Sequence, residues 1–314
     1  MVGVAEGAYW GGRVKPIALL VSGGRGQLGY DLARLAPGPV RALPSSELDV
    51  TDVDSVQQMV GALAVAAADA DFAPAVVNAA AYTAVDTAES DVDKAFSVNQ
   101  HGAELLARVC AEYSVPLIQV STDYVFAGDA DRPYEPDDET GPRTVYGRSK
   151  LAGEQAVLST HERAWVVRTS WLYGAGGANF VKTIIALEGS RETLSVVDDQ
   201  LGSPTWSADL AAGLLQLVRS IVDDRGPRQR VLHCAGGGWT SWFGLARAVF
   251  EEIGADPERI RPCRSAEFPR PAPRPAYSVL SGASWRAAGL TPLRPWRQAL
   301  KGAFAEFGAQ LRAS

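Results

Sequence analysis

Apolar runs and amphipathic stretches alternate through the first half of the chain. Residues 16–21 (P-I-A-L-L-V) form an apolar run of strand length, and residues 27–35 carry the spacing of a starting helix. Residues 40–43 predict a short second strand and 53–68 a helix. Residues 75–79 predict a third strand, running into Ala80, Ala81 and Tyr82. Residues 93–113 predict one long amphipathic helix, with Phe96, Val98, Leu105, Leu106 and Val109 on its buried side. A strand at 116–121, a helix at 146–158 and a strand at 165–169 complete the series. Such alternation is the mark of a parallel sheet covered on both faces, with right-handed crossovers.

After Arg168 the texture changes, with more tryptophans, prolines and short elements. Residues 262–275 are rich in Pro and Arg and predict an irregular loop, while 230–234 predict a strand that returns to the sheet. The expected organisation is a tail over 1–16, a dinucleotide-binding domain over 17–168 and a smaller α/β substrate domain over 169–314. The fold class is α/β, a Rossmann-like doubly wound parallel sheet. Ligands of such sheets sit beyond the carboxyl ends of the strands, so motifs distant in sequence converge there.

Composition narrows the function. With 46% hydrophobic and 21% charged residues among 314, the chain has an ordinary globular make-up and no apolar run of membrane-spanning length. The first sixteen residues lack the basic start and apolar middle of a signal peptide, so a cytoplasmic location is expected. A net charge of -6 argues against nucleic-acid binding through a global basic surface. Cys110, Cys234 and Cys263 have no metal-ligand spacing, and their odd number argues against a disulfide framework; they read as small apolar residues. His101, His161 and His233 form no ligand cluster, so no catalytic zinc is expected. Arg259, Arg261, Arg264, Arg270 and Arg274 crowd into sixteen residues, readable either as a solvated face or as a lid over an anionic ligand.

The chemistry lies in two places. V-S-G-G-R-G-Q-L-G (residues 21–29) follows a strand and opens a helix. Gly23, Gly26 and Gly29 satisfy G-x-x-G-x-x-G, and Gly24, Gly26 and Gly29 satisfy G-x-G-x-x-G, so the spacing supports dinucleotide binding without choosing a branch. An acid about 20 positions on commonly holds the ribose of NAD. Here the second strand ends Arg41-Ala42-Leu43-Pro44 with no acid at its tip, and Asp49 and Asp52 lie further on. That pocket tolerates a 2′-phosphate, met by Arg41 or a serine, and predicts NADPH, with NADH as a second cofactor. Tyr146 and Lys150 stand one helical turn apart on one face. A free phenol has a pKa of about 10, and a neighbouring ammonium is expected to lower it toward the range useful for proton exchange. Ser121 and Thr122 supply the strand-end hydroxyl that completes a carbonyl-reducing set.

The ordered strings G-x-x-G-Q-L-G, N-A-A-A-Y-T-A-V-D-x-A-E, S-T-D-Y-V-F, Y-G-x-S-K-L-A-G-E and R-T-S-W-L-Y resemble the dTDP-4-dehydrorhamnose reductase family of extended short-chain dehydrogenases/reductases. D-D-Q-x-G-S-P-T (residues 198–205) and R-P-A-Y-S-V-L (residues 274–280) carry the resemblance into the second half. It implies Thr122, Tyr146 and Lys150 as the catalytic trio. It implies Gly26, Gln27 and Leu28 at the pyrophosphate, Asp49 and Val50 on the adenine side, and Ala81, Tyr82, Thr83 and Val120 along the cofactor. Asp123, Tyr124 and Trp171 match positions near the sugar nucleotide, and Arg274 is the candidate for its diphosphate. The implied reaction reduces the 4-keto group of dTDP-4-dehydro-L-rhamnose. Some members dimerise through a metal held by glutamates. Asp31 lies near the relevant helix here, but Trp296-Arg297-Gln298 offers no carboxylate, so no metal is expected and the chain reads as monomer or homodimer. Two rivals stay open. One is a sugar-nucleotide epimerase or dehydratase, although Tyr124 stands where a dehydratase wants glutamate. The other is a cofactor-binding regulatory subunit, although Thr122, Tyr146 and Lys150 are all present.

Overall fold

The computed structural model describes residues 15–312; of the tail expected over 1–16, all but Lys15 and Pro16 lie outside the described residues. The first half runs β1 (Ile17–Ser22), α1 (Gln27–Leu35), β2 (Val40–Leu43), α2 (Val53–Asp69), β3 (Ala73–Asn78), two short helices α3 (Val85–Ala88) and α4 (Val92–Phe96), α5 (Ala103–Glu112), β4 (Leu117–Thr122), α6 (Val145–Thr160) and β5 (Ala164–Thr169). The second half adds β6 (Leu172–Tyr173), α7 (Phe180–Glu188), β7 (Leu194–Val197), β8 (Leu201–Gly202), β9 (Thr205–Trp206), α8 (Ser207–Val222) and β10 (Val231–His233). It closes with β11 (Thr240–Ser241), α9 (Trp242–Ile253), β12 (Ile260–Cys263), α10 (Ala283–Ala287) and α11 (Trp296–Arg312).

Six strands form one sheet in the order β10-β5-β4-β3-β1-β2, and every pairing is parallel. The strands are apolar on both sides because both faces are covered. Leu19, Val21, Val77, Ile118 and Val167 pack on one face with Leu210 and Leu214 of α8. Leu20, Val76, Leu117 and Ala164 pack on the other with Val56, Leu106 and Val109. β10 joins the edge beside β5, as the 230–234 reading expects, so the second half of the chain completes the sheet of the first. A separate core gathers Val181, Ile184, Val196, Val249, Phe250, Ile260 and Leu300 from α7, β7, α9, β12 and α11.

Two expectations change. The long helix over 93–113 is interrupted by a π-helical segment, Ser97–Gly102, between α4 and α5; Leu106 and Val109 are buried, whereas Phe96, Val98 and Leu105 are only half-buried. The 262–275 loop begins as strand, because Pro262 sits in β12, which pairs only with β7. Proline, lacking an N–H, is tolerated on such an edge. Among the described residues no helix is long and apolar enough to cross a membrane.

Candidate active site

The turn after β1 is built by close backbone approach. Gly23 has φ +75°, and a Cβ there would lie 2.8 Å from the Ala79 backbone. A Cβ on Gly24 would stand 2.3 Å from the Ala42 carbonyl oxygen, and one on Gly29 2.4 Å from that of Gly23. These three glycines lock β1, β2, β3 and α1 together. Gly26 caps α1, with no side chain bonding its first turn and no acid within it. Free N–H groups and the positive end of the helix dipole therefore face the strand ends, suited to a phosphate. Leu28 is buried, and the Gln27 amide oxygen accepts from Asn179 at 3.1 Å, tying the turn to the second half.

Beyond β2, Asp49 is exposed and its carboxylate accepts from the Thr51 N–H (2.9 Å) and hydroxyl (2.7 Å); Val50 is buried against Gly102. No carboxylate stands at the tip of β2, where the Gly24 N–H donates to the Leu43 carbonyl at 2.8 Å. Arg25, in the glycine turn beside that tip, is exposed, as is Arg41. Turn, uncapped helix and two exposed guanidinium groups fit a dinucleotide carrying a 2′-phosphate. Arg25 escaped the sequence reading because it stands between two fingerprint glycines.

The stretch Ala81, Tyr82, Thr83 follows β3. It is pinned by Asn99, whose side chain accepts from the Tyr82 N–H (2.9 Å) and donates to the Tyr82 carbonyl (3.1 Å) and the Ser149 hydroxyl (2.9 Å). Asn99 lies in the π segment and is buried. It was missed in the sequence; the available signal was a polar residue on the apolar side of an amphipathic helix.

Thr122 closes β4, and its hydroxyl accepts from the Tyr124 N–H and donates to Asp123 at 2.9 Å. Tyr146 and Lys150 project from α6 toward the same strand end, 9% and 4% exposed. The Lys150 ammonium donates to the Val120 carbonyl at 2.6 Å. Burial holds its pKa down at about 8, opposed by the charge of Glu154. The expectation for Tyr146 is corrected here: burial pushes its phenol up to about 12, against the pull of a Thr122 hydrogen bond, and Lys150 does not figure among the causes. Burial thus keeps the phenol a protonated donor. Burial likewise raises Asp123 to about 6, against hydrogen bonds from Ser278 and Thr122. Tyr124 packs edge-on against Tyr146, ring centroids 5.5 Å apart.

A cleft of about 400 Å³ opens beside Tyr124, walled by Phe180, Gln200, Trp242, Arg270 and Arg274. Arg274 donates to Asp86 at 2.8 Å and to the Ala272 carbonyl at 2.9 Å, and Arg270 stands 3.8 Å from Asp86. This settles the two readings of the arginine run in part. Arg270 and Arg274 line the cleft, whereas Arg259 is tied to Glu188. Trp171 has φ 46° and one face stacked on Trp242, centroids 3.5 Å apart, with its edge over Gly202. The indole on the cleft wall is Trp242, which the sequence reading did not single out. Among the described residues no group of three or more His, Cys, Asp or Glu side chains could hold a metal.

A family model described as the RmlD substrate binding domain matches residues 17–309. The chain belongs to this family. It is 51% identical over 295 residues to a dTDP-4-dehydrorhamnose reductase of Mycobacterium tuberculosis, covering 91% of this chain and 92% of that protein. A dTDP-4-keto-6-deoxy-D-glucose reductase of Streptomyces niveus is 44% identical, over 91% of this chain and 96% of its own length. The crystal structure of dTDP-4-dehydrorhamnose reductase from Bacillus anthracis, in complex with NADP, superposes with a TM-score of 0.84 at 34% identity, covering 93% of this chain and 99% of that one.

Proposed function

We propose that this chain reduces the 4-keto group of dTDP-4-dehydro-L-rhamnose to give dTDP-L-rhamnose in the cytoplasm, using NADPH and accepting NADH as well. One observation carries the reading: Thr122, Tyr146 and Lys150 meet at the end of β4, on the edge of the sheet that also holds the open glycine turn. When bound, the cofactor supplies a hydride to the carbonyl carbon. Tyr146, kept protonated by burial, gives its proton to the carbonyl oxygen. The Thr122 hydroxyl turns its one proton from Asp123 to that same oxygen and polarises the bond. Lys150 exchanges the Val120 carbonyl for the nicotinamide ribose. Gly23, Gly26, Gln27, Leu28 and Gly29 hold the pyrophosphate, and Arg25 and Arg41 meet the 2′-phosphate. Ala81, Tyr82, Thr83 and Val120 lie along the dinucleotide, with Asp49 and Val50 at its adenine end. Asp123, Tyr124, Trp242 and Arg274 serve the sugar nucleotide, and Trp171 acts behind Trp242 through the stack between them.

The names of the relatives support a dTDP-linked 4-keto sugar and the NADP-bound neighbour supports the cofactor. The test mixes purified protein with NADPH and dTDP-4-dehydro-L-rhamnose, follows nicotinamide absorbance and identifies the product. Stoichiometric oxidation with dTDP-L-rhamnose formed is expected. Oxidation only with a differently configured 4-keto sugar would reassign the substrate, and no oxidation at all would refute the reductase reading. A roughly tenfold tighter binding of NADH than of NADPH, about 1.4 kcal/mol, would overturn the cofactor preference.

A further inference from the structure

The Thr169 hydroxyl is a buried polar group with no hydrogen-bond partner among the described residues, on a side chain only 7% exposed. A buried hydroxyl left unpaired is costly, so its persistence calls for a partner that arrives from outside the chain. Its position is defined by register. β4 and β5 run parallel with Thr122 opposite Thr169. Opposed residues of neighbouring strands present their side chains to the same face. The pattern holds below them: Ile118 lies opposite Trp165 and both join one core, while Leu117 lies opposite Ala164 and both join the other. The Thr169 hydroxyl therefore stands one strand over from the Thr122 hydroxyl, on the same face and at the same height. Ser121 is also unpartnered, but alternation turns it to the opposite face with Arg168.

The proposed cofactor contacts step across the sheet in its spatial order. Asp49 and Val50 follow β2, Gly26 follows β1, Ala81 to Thr83 follow β3, and Thr122 ends β4. The next strand end in that direction is β5, and Thr169 is its last residue. We infer that the Thr169 hydroxyl is a positioning contact for the carboxamide of the nicotinamide, fixing the rotation of the ring beside Thr122 and Tyr146. The inference rests on the NADPH-dependent reading above. A carboxamide offers both a donor and an acceptor, so either role of the threonine hydroxyl is met.

The test compares wild type, Thr169→Val and Thr169→Ser. NADPH affinity is read by energy transfer from tryptophan, together with melting temperature without ligand, sugar-nucleotide KM and the primary isotope effect with NADPH deuterated at the transferred position. Valine keeps the shape and removes a hydroxyl that bonds nothing in the protein. Thr169→Val is thus expected to bind NADPH about fivefold more weakly, the size of one neutral hydrogen bond. It should show a larger isotope effect and unchanged KM, and melt no lower than wild type. Thr169→Ser should recover affinity. Wild-type affinity and isotope effect in the valine variant would overturn the inference while leaving the reductase reading intact. A melting temperature lowered in both variants with affinity unchanged would assign the hydroxyl to the fold and overturn it equally. A wild-type protein that fails to bind NADPH would overturn the functional reading itself, and this inference with it.

Discussion

Lys150 and Tyr146 show how burial sets the chemistry of single residues. The phenol at about 12 is a proton donor throughout the neutral range, and transfer to an oxygen that becomes an alkoxide is downhill. Tyr146→Phe should lower kcat about 100-fold or more while leaving NADPH affinity nearly unchanged, checked by steady-state rates beside a binding titration. Near-normal turnover would remove Tyr146 from the reaction. Lys150 has its pKa depressed from 10.5 to about 8, so it loses its charge near pH 8 in the free protein. kcat/KM for NADPH should therefore fall as pH rises through about 8, and Lys150→Arg should move that limb upward. The stability sign is opposite. A depressed folded pKa contributes stability fully present above the unfolded value near 10.5 and lost as pH falls through about 8. At pH 7 the buried ammonium is thus a cost, and Lys150→Met should melt no lower than wild type without ligand while binding NADPH poorly. A melting temperature well below wild type would mean that the Val120 hydrogen bond outweighs desolvation.

The strand-turn-helix of β1 and α1 is where element geometry is least forgiving. A methyl on Gly29 would meet the Gly23 carbonyl oxygen at 2.4 Å and the Gly24 Cα at 2.7 Å, backbone atoms that cannot swing aside. Gly29→Ala should cost about 1–3 kcal/mol and at least tenfold in NADPH affinity. Gly189→Ala, at a position with φ −75° and nothing within 4 Å, is the control and should leave both within error. Equal behaviour of the two would show that the turn opens without cost. Elements of this kind were legible in the sequence, because strand, turn and helix are encoded by neighbours: the strands and helices expected in the first half agree with the structure to within about two residues, apart from the 93–113 helix. That helix was misread because apolar residues recur on both sides of the polar run at residues 99–102, which was read through as helix. The π segment holds Asn99, whose side chain reaches Tyr82 and Ser149; its polar character is visible locally, but those distant partners are not. Trp171 and Trp242 illustrate the same limit. Two indoles 71 positions apart stack, and which of them faces the cleft depends on packing between loops distant in sequence.

On the scale of the whole molecule, a contact between the two halves of the chain holds the arginines of the cleft wall. Asp86 belongs to α3, behind β3, whereas Arg270 and Arg274 come from the segment after β12. Asp86 is held below the usual carboxylate range by Arg274 and Arg270 and by a hydrogen bond from the Ala272 N–H, although burial opposes this. The pair is 29% and 21% exposed, so as a source of stability it is worth no more than about 1 kcal/mol. Its weight lies in orientation: Asp86 and the Ala272 carbonyl each take one guanidinium nitrogen of Arg274, fixing the plane in which the group would meet the proposed diphosphate. Arg274→Ala should therefore raise KM for the sugar nucleotide tenfold or more and leave NADPH affinity alone. Asp86→Asn should raise the same KM several-fold, with a small change in melting temperature. Because one residue acts through the other, the double variant should be no worse than Arg274→Ala by itself. Effects that multiply in the double variant would mean that Asp86 acts on the substrate without Arg274, and a loss confined to NADPH affinity would move Arg274 from the sugar nucleotide to the cofactor.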